Sequence, residues 1–483
     1  MPRAIETTPQ EILERLKAQI RGRLLSPGME GYNAARRVYN GMIDRCPAFI
    51  VQCAGVEDVQ AAVRFADDQS WPLAVRGGGH SVAGFGVCEG GLVIDLSSMK
   101  AIEVDPARRT ARVGPGVTWG EFDAATAAFG LATTGARISS TGVTGVTLGG
   151  GYGWLMRKFG LAIDNLLAAE IILADGRLLK ASATENHDLF WGLRGGGGNF
   201  GVVVSLEFRL HPVDQVTGGM VFYPAARGRE VLEFYREFMY SAPDELSALC
   251  NFLLMPPAPF VPLRLQGVPV VAIAVCHAGS PGEAQRDLGA LARFGPALLQ
   301  RIRPMAYTKL QRMYDAAGTF GHRVYGRSGH FPDINKEALD TIAAHAGRVP
   351  SALSITMLSR LGGAVARVGE HDTAFSYRDT AFDLAINAVW SDAAESPTHT
   401  RWADDFWRKL RPFSRGVYVN ELGEEGEERV REAYKPETYR RLAELKKIYD
   451  PGNLFRFNQN IQPDAALKLS NPREVQAAKL PLA

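Results

Sequence analysis

Arg76-Gly77-Gly78-Gly79-His80-Ser81 sets one imidazole directly after three glycines. Without Cβ atoms, consecutive backbone N–H groups can close on an anion. Arg76 is read here as an added permanent cation with a planar donor fork. His80 then stands where a large phosphate-bearing cofactor would lie. Two more clusters follow, Leu148 to Gly153 and Arg194 to Gly201. A cluster alone also fits mere tight packing, but three within 201 residues predict one extended cofactor bed.

The alternatives for these motifs fail on context. Gly196, Gly198 and Gly201 satisfy G-x-G-x-x-G, but they run straight into Val202-Val203-Val204, a β sequence, where a dinucleotide fold needs a helix. Gly149 to Gly153 precedes Trp154-Leu155-Met156-Arg157-Lys158, which is read as a helical turn whose amides suit phosphate oxygens. No Gly-Lys-Ser/Thr follows any cluster, and Gly135-Ala136-Arg137-Ile138-Ser139 lacks the second glycine of a serine-hydrolase elbow. The five cysteines, Cys46, Cys53, Cys88, Cys250 and Cys276, show no metal-ligand spacing, and adjacent Cys276 and His277 would face opposite ways on a strand. No metal is expected.

The elements that must position these residues come in two styles. Over 483 residues, 46% apolar with net charge +2, two or three globular domains are expected and nucleic acid is not. No apolar run reaches about 18 residues, and Met1 to Lys17 has no signal-like core, so a cytoplasmic protein without a membrane span is the expectation. Residues 1–39 are read as a helical extension, with an amphipathic helix over Glu11–Ile20. From 40 to 213, short strands (Ile50–Gln52, Leu92–Ile94, Thr110–Val113, Val202–Leu210) alternate with helices such as Val56–Asp67 and Trp119–Phe129. From 214 to 415, strands at Val268–Val275, Leu353–Leu358 and Leu384–Val389 alternate with helices at Arg229–Tyr240, Gly282–Phe294 and Glu337–Ala346. That predicts an antiparallel sheet flanked by helices, an α+β fold. A polar, helical stretch over 416–483 closes the chain.

In order and spacing, these motifs resemble the berberine-bridge-enzyme-like flavoproteins of the vanillyl-alcohol-oxidase superfamily, bacterial type. The matching residues are Val75 to Ser81 with Gly84-Phe85, Val113-Gly114-Pro115-Gly116-Val117, Leu148 to Gly153, Asp164-Asn165, Asp188 to Trp191 and Arg194 to Val203. Tyr418-Val419-Asn420, Asp450 to Phe455 and Asn458 to Ile461 complete the set, which spans about 40–463. The resemblance implies a two-subdomain FAD-binding domain, a substrate domain on an antiparallel sheet, and a C-terminal segment that returns to the flavin. It implies FAD attached covalently through His80. The second, cysteinyl link of many relatives would fall at Ile138, so a single link is expected. The implied cofactor contacts are Arg76, Gly77, Gly78, Gly79, Ser81, Gly84, Gly116, Thr141, Gly142, Gly145, Gly149, Gly150, Gly151, Gly153, Gly198, Asn199, Gly201, Val202, Asn420 and Asn458.

The implied reaction oxidises a C–H bond next to a hydroxyl or amine of a small organic molecule, with hydride passing to flavin N5. Tyr418 is the expected base and Tyr152 a second candidate. Glu421 replaces the tyrosine that ends the family's Tyr-x-Asn-Tyr; it is either a further candidate or a surface carboxylate. Thr141 aligns with the residue that controls oxygen access, and its small size implies O2 as acceptor and H2O2 as product. A same-fold dehydrogenase and a non-catalytic flavin-binding protein are the competing readings. Tyr325, Arg327, Trp390 and Arg378 are candidate substrate-lining residues, with core packing or surface pairing the alternative for each.

Overall fold

The computed structural model describes residues 14–463. Of the expected helix Glu11–Ile20, 14–17 are helical, and 11–13 lie outside the described residues. Strands β1 (Arg23–Leu25), β2 (Phe49–Gln52), β3 (Leu73–Arg76) and β4 (Leu92–Asp95) form a sheet in the order β1-β2-β4-β3. β2, β4 and β3 are parallel, and β1 runs antiparallel to β2. Their unbroken apolar runs are what a parallel sheet buried on both faces demands. Helix Val56–Asp68 packs Val59, Ala62, Val63 and Ala66 into this core. The helical extension expected over 1–39 is corrected here, because Arg23–Leu25 is an edge strand of the first sheet.

The second sheet is antiparallel. It takes β5 (Ile102–Asp105), β6 (Thr110–Val113) and, past the short β7 (Leu131–Ala132), β8 (Leu166–Ile172), β9 (Leu178–Ser182) and β10 (Val202–Arg209), in the order β5-β6-β10-β8-β9. β7 pairs with β11 (His211–Pro212). The third sheet has seven antiparallel strands: β12 (Gln215–Pro224), β13 (Leu246–Leu254), β14 (Pro269–His277), β15 (Leu299–Ala306), β16 (Arg323–Phe331), β17 (Ile355–Arg360) and β18 (Phe382–Trp390). Their order is β15-β12-β14-β13-β17-β18-β16.

Strand periodicity decides what this sheet shows to each side. Cys250, Phe252, Leu358, Leu384, Ile386 and Phe331 point to one face, where helices Gly228–Tyr240, Lys336–Ala346 and Ser396–Leu410 cover them. The alternate residues face the first domain: Leu249, Ala274 and Cys276 pack there with Trp154, Tyr307 and Tyr314. Directly opposed on β18 and β16, Asp383 and His330 share that inner side. All five cysteines are free thiols, and all but Cys46 are buried. Among the described residues no helix is long and apolar enough to cross a membrane, and no cluster of three His, Cys, Asp or Glu side chains has metal-binding geometry.

Helix Pro436–Tyr449 brings the chain back, setting Leu442 and Leu445 in the core of the second sheet. Beside them Lys446 is fully buried. Its Nζ donates to Asp450 Oδ2 at 2.7 Å, to the Asn199 carbonyl at 2.8 Å and to the Phe455 carbonyl at 2.9 Å. Asp450 in turn accepts from the Leu454 and Phe455 amides. Burial draws the ammonium pKa down and Asp450 opposes that shift. Removing one partner of such a pair strands the other charge, at about 3–5 kcal/mol. Lys446→Met is therefore expected to lose about that much stability by urea unfolding, and a smaller loss would show that the chain end is held mainly by its apolar contacts.

Candidate active site

A glycine-lined cleft of about 280 Å³ runs between the first two sheets and the returning C-terminal segment. Of the residues expected at the cofactor, fourteen line it: Arg76, Gly77, Gly78, Gly79, His80, Ser81, Thr141, Gly142, Gly145, Gly198, Asn199, Gly201, Asn420 and Asn458. The turns that carry them touch. A Cβ on Gly78 would come within 2.4 Å of the Gly142 nitrogen, so only glycine lets the His80 turn press against the Thr141 turn.

That contact builds a socket for His80. Ser140 Oγ lies 3.0 Å from its Nε2, Tyr39 stacks on the ring at 4.8 Å, and Phe320 meets it edge-on at 5.2 Å. Nδ1 has no hydrogen-bond partner among the described residues. Enclosure pushes the imidazole pKa down to about 4, against a smaller opposing effect from Ser140. The ring is thus neutral at physiological pH, with a lone pair free for bonding. On the far wall, Asn458 gives its amide N–H to the Gly198 and Phe455 carbonyls, while its buried Oδ1 has no partner. A glycine-floored cleft with an unfilled acceptor and a neutral imidazole fits FAD.

Several sequence expectations need correction. Arg76 brings no free charge: its guanidinium donates to Asp95 at 2.5 Å in a buried pair, and it also reaches the Ala35 carbonyl. It fastens β3 to β4 and offers the cleft only the rest of its length. Gly84, Gly116 and Val202 lie behind the lining, Gly84 over Ile43, Gly116 against the Leu96 carbonyl and Val202 in the first core. Gly149, Gly150, Gly151 and Gly153 also sit off the cleft. Gly149 ends helix Val143–Gly149, the other three follow it, and the next helix starts only at Met156, so they present no helix N-terminus to a phosphate.

That third turn serves tyrosines instead. A Cβ on Gly149 would strike Asn420, and one on Gly150 would crowd Tyr418 and Phe375. Tyr418 Oη accepts from the Gly151 amide at 2.8 Å and from Asn420 Nδ2 at 2.7 Å. Asn420 also lines the cofactor cleft, so a single side chain joins the cleft to the phenol. Tyr152 stacks flat on Tyr418 at 3.9 Å. Burial raises the pKa of both phenols, and the two N–H donors oppose the rise at Tyr418.

Glu421 is no surface carboxylate. Its Oε2 is buried without a partner, and burial followed by the Asp383 charge raises its pKa well above the usual range, with Arg137 and the Ser328 hydroxyl opposing. Asp383 and His330 face each other at 3.2 Å, both almost fully buried, without the alignment of a hydrogen bond. Tyr152 Oη, Arg137 Nε, Glu421 Oε2, Asp383 Oδ1, His330 Nδ1 and Ser328 Oγ are all buried and unbonded. So many unmet polar atoms near one another leave a polar chamber wall whose hydrogen bonds are open to a polar guest.

None of the expected substrate-lining residues reaches it. Tyr325 and Arg327 bind Asp404, and Trp390 sits in the helix-covered core of the third sheet, so these strand residues have the wrong parity. Arg378 is tied to Asp164 and Thr373. Arg137, Asp383, His330, Ser328, Tyr39, Ser140 and Phe320 carry no sequence signal, because only the third dimension brings them to the site.

A two-domain α+β scaffold with a glycine-walled cofactor cleft and a tyrosine-floored chamber defines an FAD-dependent oxidoreductase. Residues 47–182 match the family model for an FAD binding domain, and 417–462 match that for berberine and berberine-like proteins. An FAD-linked oxidoreductase of Dictyostelium discoideum is 32% identical over 94% of this chain and 97% of its own. (R)-6-hydroxynicotine oxidase of Paenarthrobacter nicotinovorans is 31% identical over 92% and 98%. The crystal structure of 6-hydroxy-D-nicotine oxidase from Arthrobacter nicotinovorans superposes with a TM-score of 0.82 at 29% identity, covering 92% of this chain and 98% of that one. The chain belongs to the berberine-bridge-enzyme-like FAD-linked oxidoreductases.

A depressed histidine pKa has a direct consequence for stability. The benefit of the neutral His80 is complete above its unfolded value of about 6.5 and is lost as pH falls toward about 4. Flavin-free protein should therefore melt at lower temperature as pH drops through that window. His80→Phe should flatten the dependence; an unchanged slope would place the acid sensitivity elsewhere.

Proposed function

We propose that this protein is an oxidase that removes a hydride from a C–H bond next to a hydroxyl or amine of a small organic molecule, with FAD held covalently on His80 and O2 as the final acceptor. The observation that carries the reading is the Tyr418 oxygen, which accepts two N–H groups, one of them from a residue that lines the cofactor cleft. FAD bound in the cleft supplies the two-electron acceptor, flavin N5.

The protein's own part is proton handling and positioning. Two donors on Tyr418 Oη favour phenolate, the form that takes the substrate's hydroxyl or amine proton as the C–H electrons leave. Tyr152, flat against it, blocks one side of the ring and keeps water out. Nε2 of His80 is engaged by Ser140, which leaves Nδ1 for the bond to the flavin methyl. Thr141 at the cleft wall is small enough to leave O2 a path. The substrate gives up two electrons and two protons, and O2 takes them up as H2O2.

Acid-denatured wild type should keep its yellow colour on the polypeptide, and His80→Ala should release it; colour lost from both would remove the covalent link and leave FAD binding intact. Tyr418→Phe should lower kcat/KM by about 10²–10⁴-fold, the usual worth of a positioned acid or base. Because burial holds the phenol above its ordinary value near 10, wild-type kcat/KM should climb with pH through the alkaline range and the variant should lose that limb. Reduced protein mixed with air-saturated buffer should reoxidise within seconds, releasing one H2O2 per flavin. Reoxidation over minutes would make the protein a dehydrogenase.

A further inference from the structure

The proposed chemistry gives Arg137 no part. Its guanidinium carbon lies 5.9 Å from the centre of the Tyr152 ring, a weak cation–π contact. Among the described residues it makes no hydrogen bond and no ion pair, and its Nε is buried. Arg76 pairs with Asp95, Arg378 with Asp164, and Arg157 donates to the carbonyls of Leu246 and Leu361, whereas the Arg137 guanidinium has no such partner among the described residues. A guanidinium keeps its charge at every accessible pH. Arg137 is half-buried with an unpaired fork, so its remaining donors are open to an anionic partner.

The two nearby carboxyls do not meet that need. Burial and the Asp383 charge raise the Glu421 pKa, Asp383 lies 3.2 Å from His330, and neither carboxyl forms an ion pair with Arg137. Position narrows the role further. Arg137 lies three residues before Ser140, which holds His80, and four before Thr141 at the cleft wall. A group bound there is held beside Tyr152 and Tyr418, next to the proposed site of hydride transfer. The planar donor fork of arginine matches two coplanar oxygens far better than one hydroxyl, and the aromatic floor of Tyr152, Tyr418 and Phe375 suits a flat body attached to them.

We propose that Arg137 is the docking point for a planar oxyanion, a carboxylate, carried by the molecule that the enzyme oxidises. The inference rests on the Tyr152–Tyr418 chamber being the place of oxidation. The carboxylate anchors one end of the substrate on Arg137, and its oxidisable carbon and proton lie toward Tyr418.

The test uses FAD-loaded protein and two probes of one shape, benzoate and neutral benzamide, with binding read by calorimetry and by perturbation of the flavin spectrum. FAD content per chain is measured first on every sample. Wild type is expected to bind benzoate at least tenfold more tightly than benzamide. Arg137→Ala should lose at least tenfold in benzoate affinity with benzamide unchanged, and Arg137→Lys should fall between. Arg137→Gln, close to arginine in volume, should repeat the loss if the alanine variant folds poorly. Equal benzoate affinity in wild type and Arg137→Gln at full FAD content overturns the proposal, as does a wild type that prefers benzamide or binds neither. Parallel loss of both probes would assign Arg137 to packing and overturn it too. If wild type takes up no FAD yet shows Arg137-dependent benzoate heat, the oxidase reading fails and the anchor stands.

Discussion

The cofactor cleft depends on one buried ammonium group. Lys446 lies in the last helix, yet its hydrogen bonds end on the glycine turn at Asn199 and on the chain that follows Asp450. A lysine enclosed in protein is tolerated only when each of its three donors finds an acceptor. Here all three do, and two of the acceptors are backbone carbonyls of segments that wall the cleft. The constraint works in both directions, since the loops position the charge and the charge forbids the loops to drift. The cofactor cleft is therefore completed by residues more than 240 positions beyond the glycine turn at Asn199.

Asn420 does for the chemistry what Lys446 does for the architecture. It lines the cleft, donates to Tyr418 and to the Val146 carbonyl, and fills the space left by the missing Cβ of Gly149. Cofactor space and substrate space are thus two rooms sharing one wall, and the wall is an amide whose donors are fully committed. The base candidate is held at a set distance from the cofactor by covalent geometry, only two residues along the chain from that amide.

Much of this was readable from the sequence. The short strand runs at Ile50–Gln52 and Leu92–Ile94, the alternation of strands with helices over 214–415 and the glycine turns pointed to the fold and the cofactor bed. Two kinds of feature were not. A glycine cluster reveals that space is short, not what fills it: the cluster at Gly149 to Gly153 serves Asn420, Tyr418 and Ala162 rather than a phosphate. Likewise the charge on Arg76 is visible in the chain, while its neutralisation by Asp95, 19 residues away, depends on β3 and β4 lying in register. The chamber was the hardest to see, because Asp383 and His330 become neighbours only through strand pairing.

The His80 socket carries a consequence for how the molecule matures. Tyr39 comes from the start of the chain, Ser140 from the first domain and Phe320 from the middle of the second, and the Tyr39 hydroxyl bonds the Ala317 carbonyl across 278 residues. No nascent chain still on the ribosome at residue 300 can complete the socket, however well its first domain has folded. The complete socket around that ring is thus a record that both domains have met.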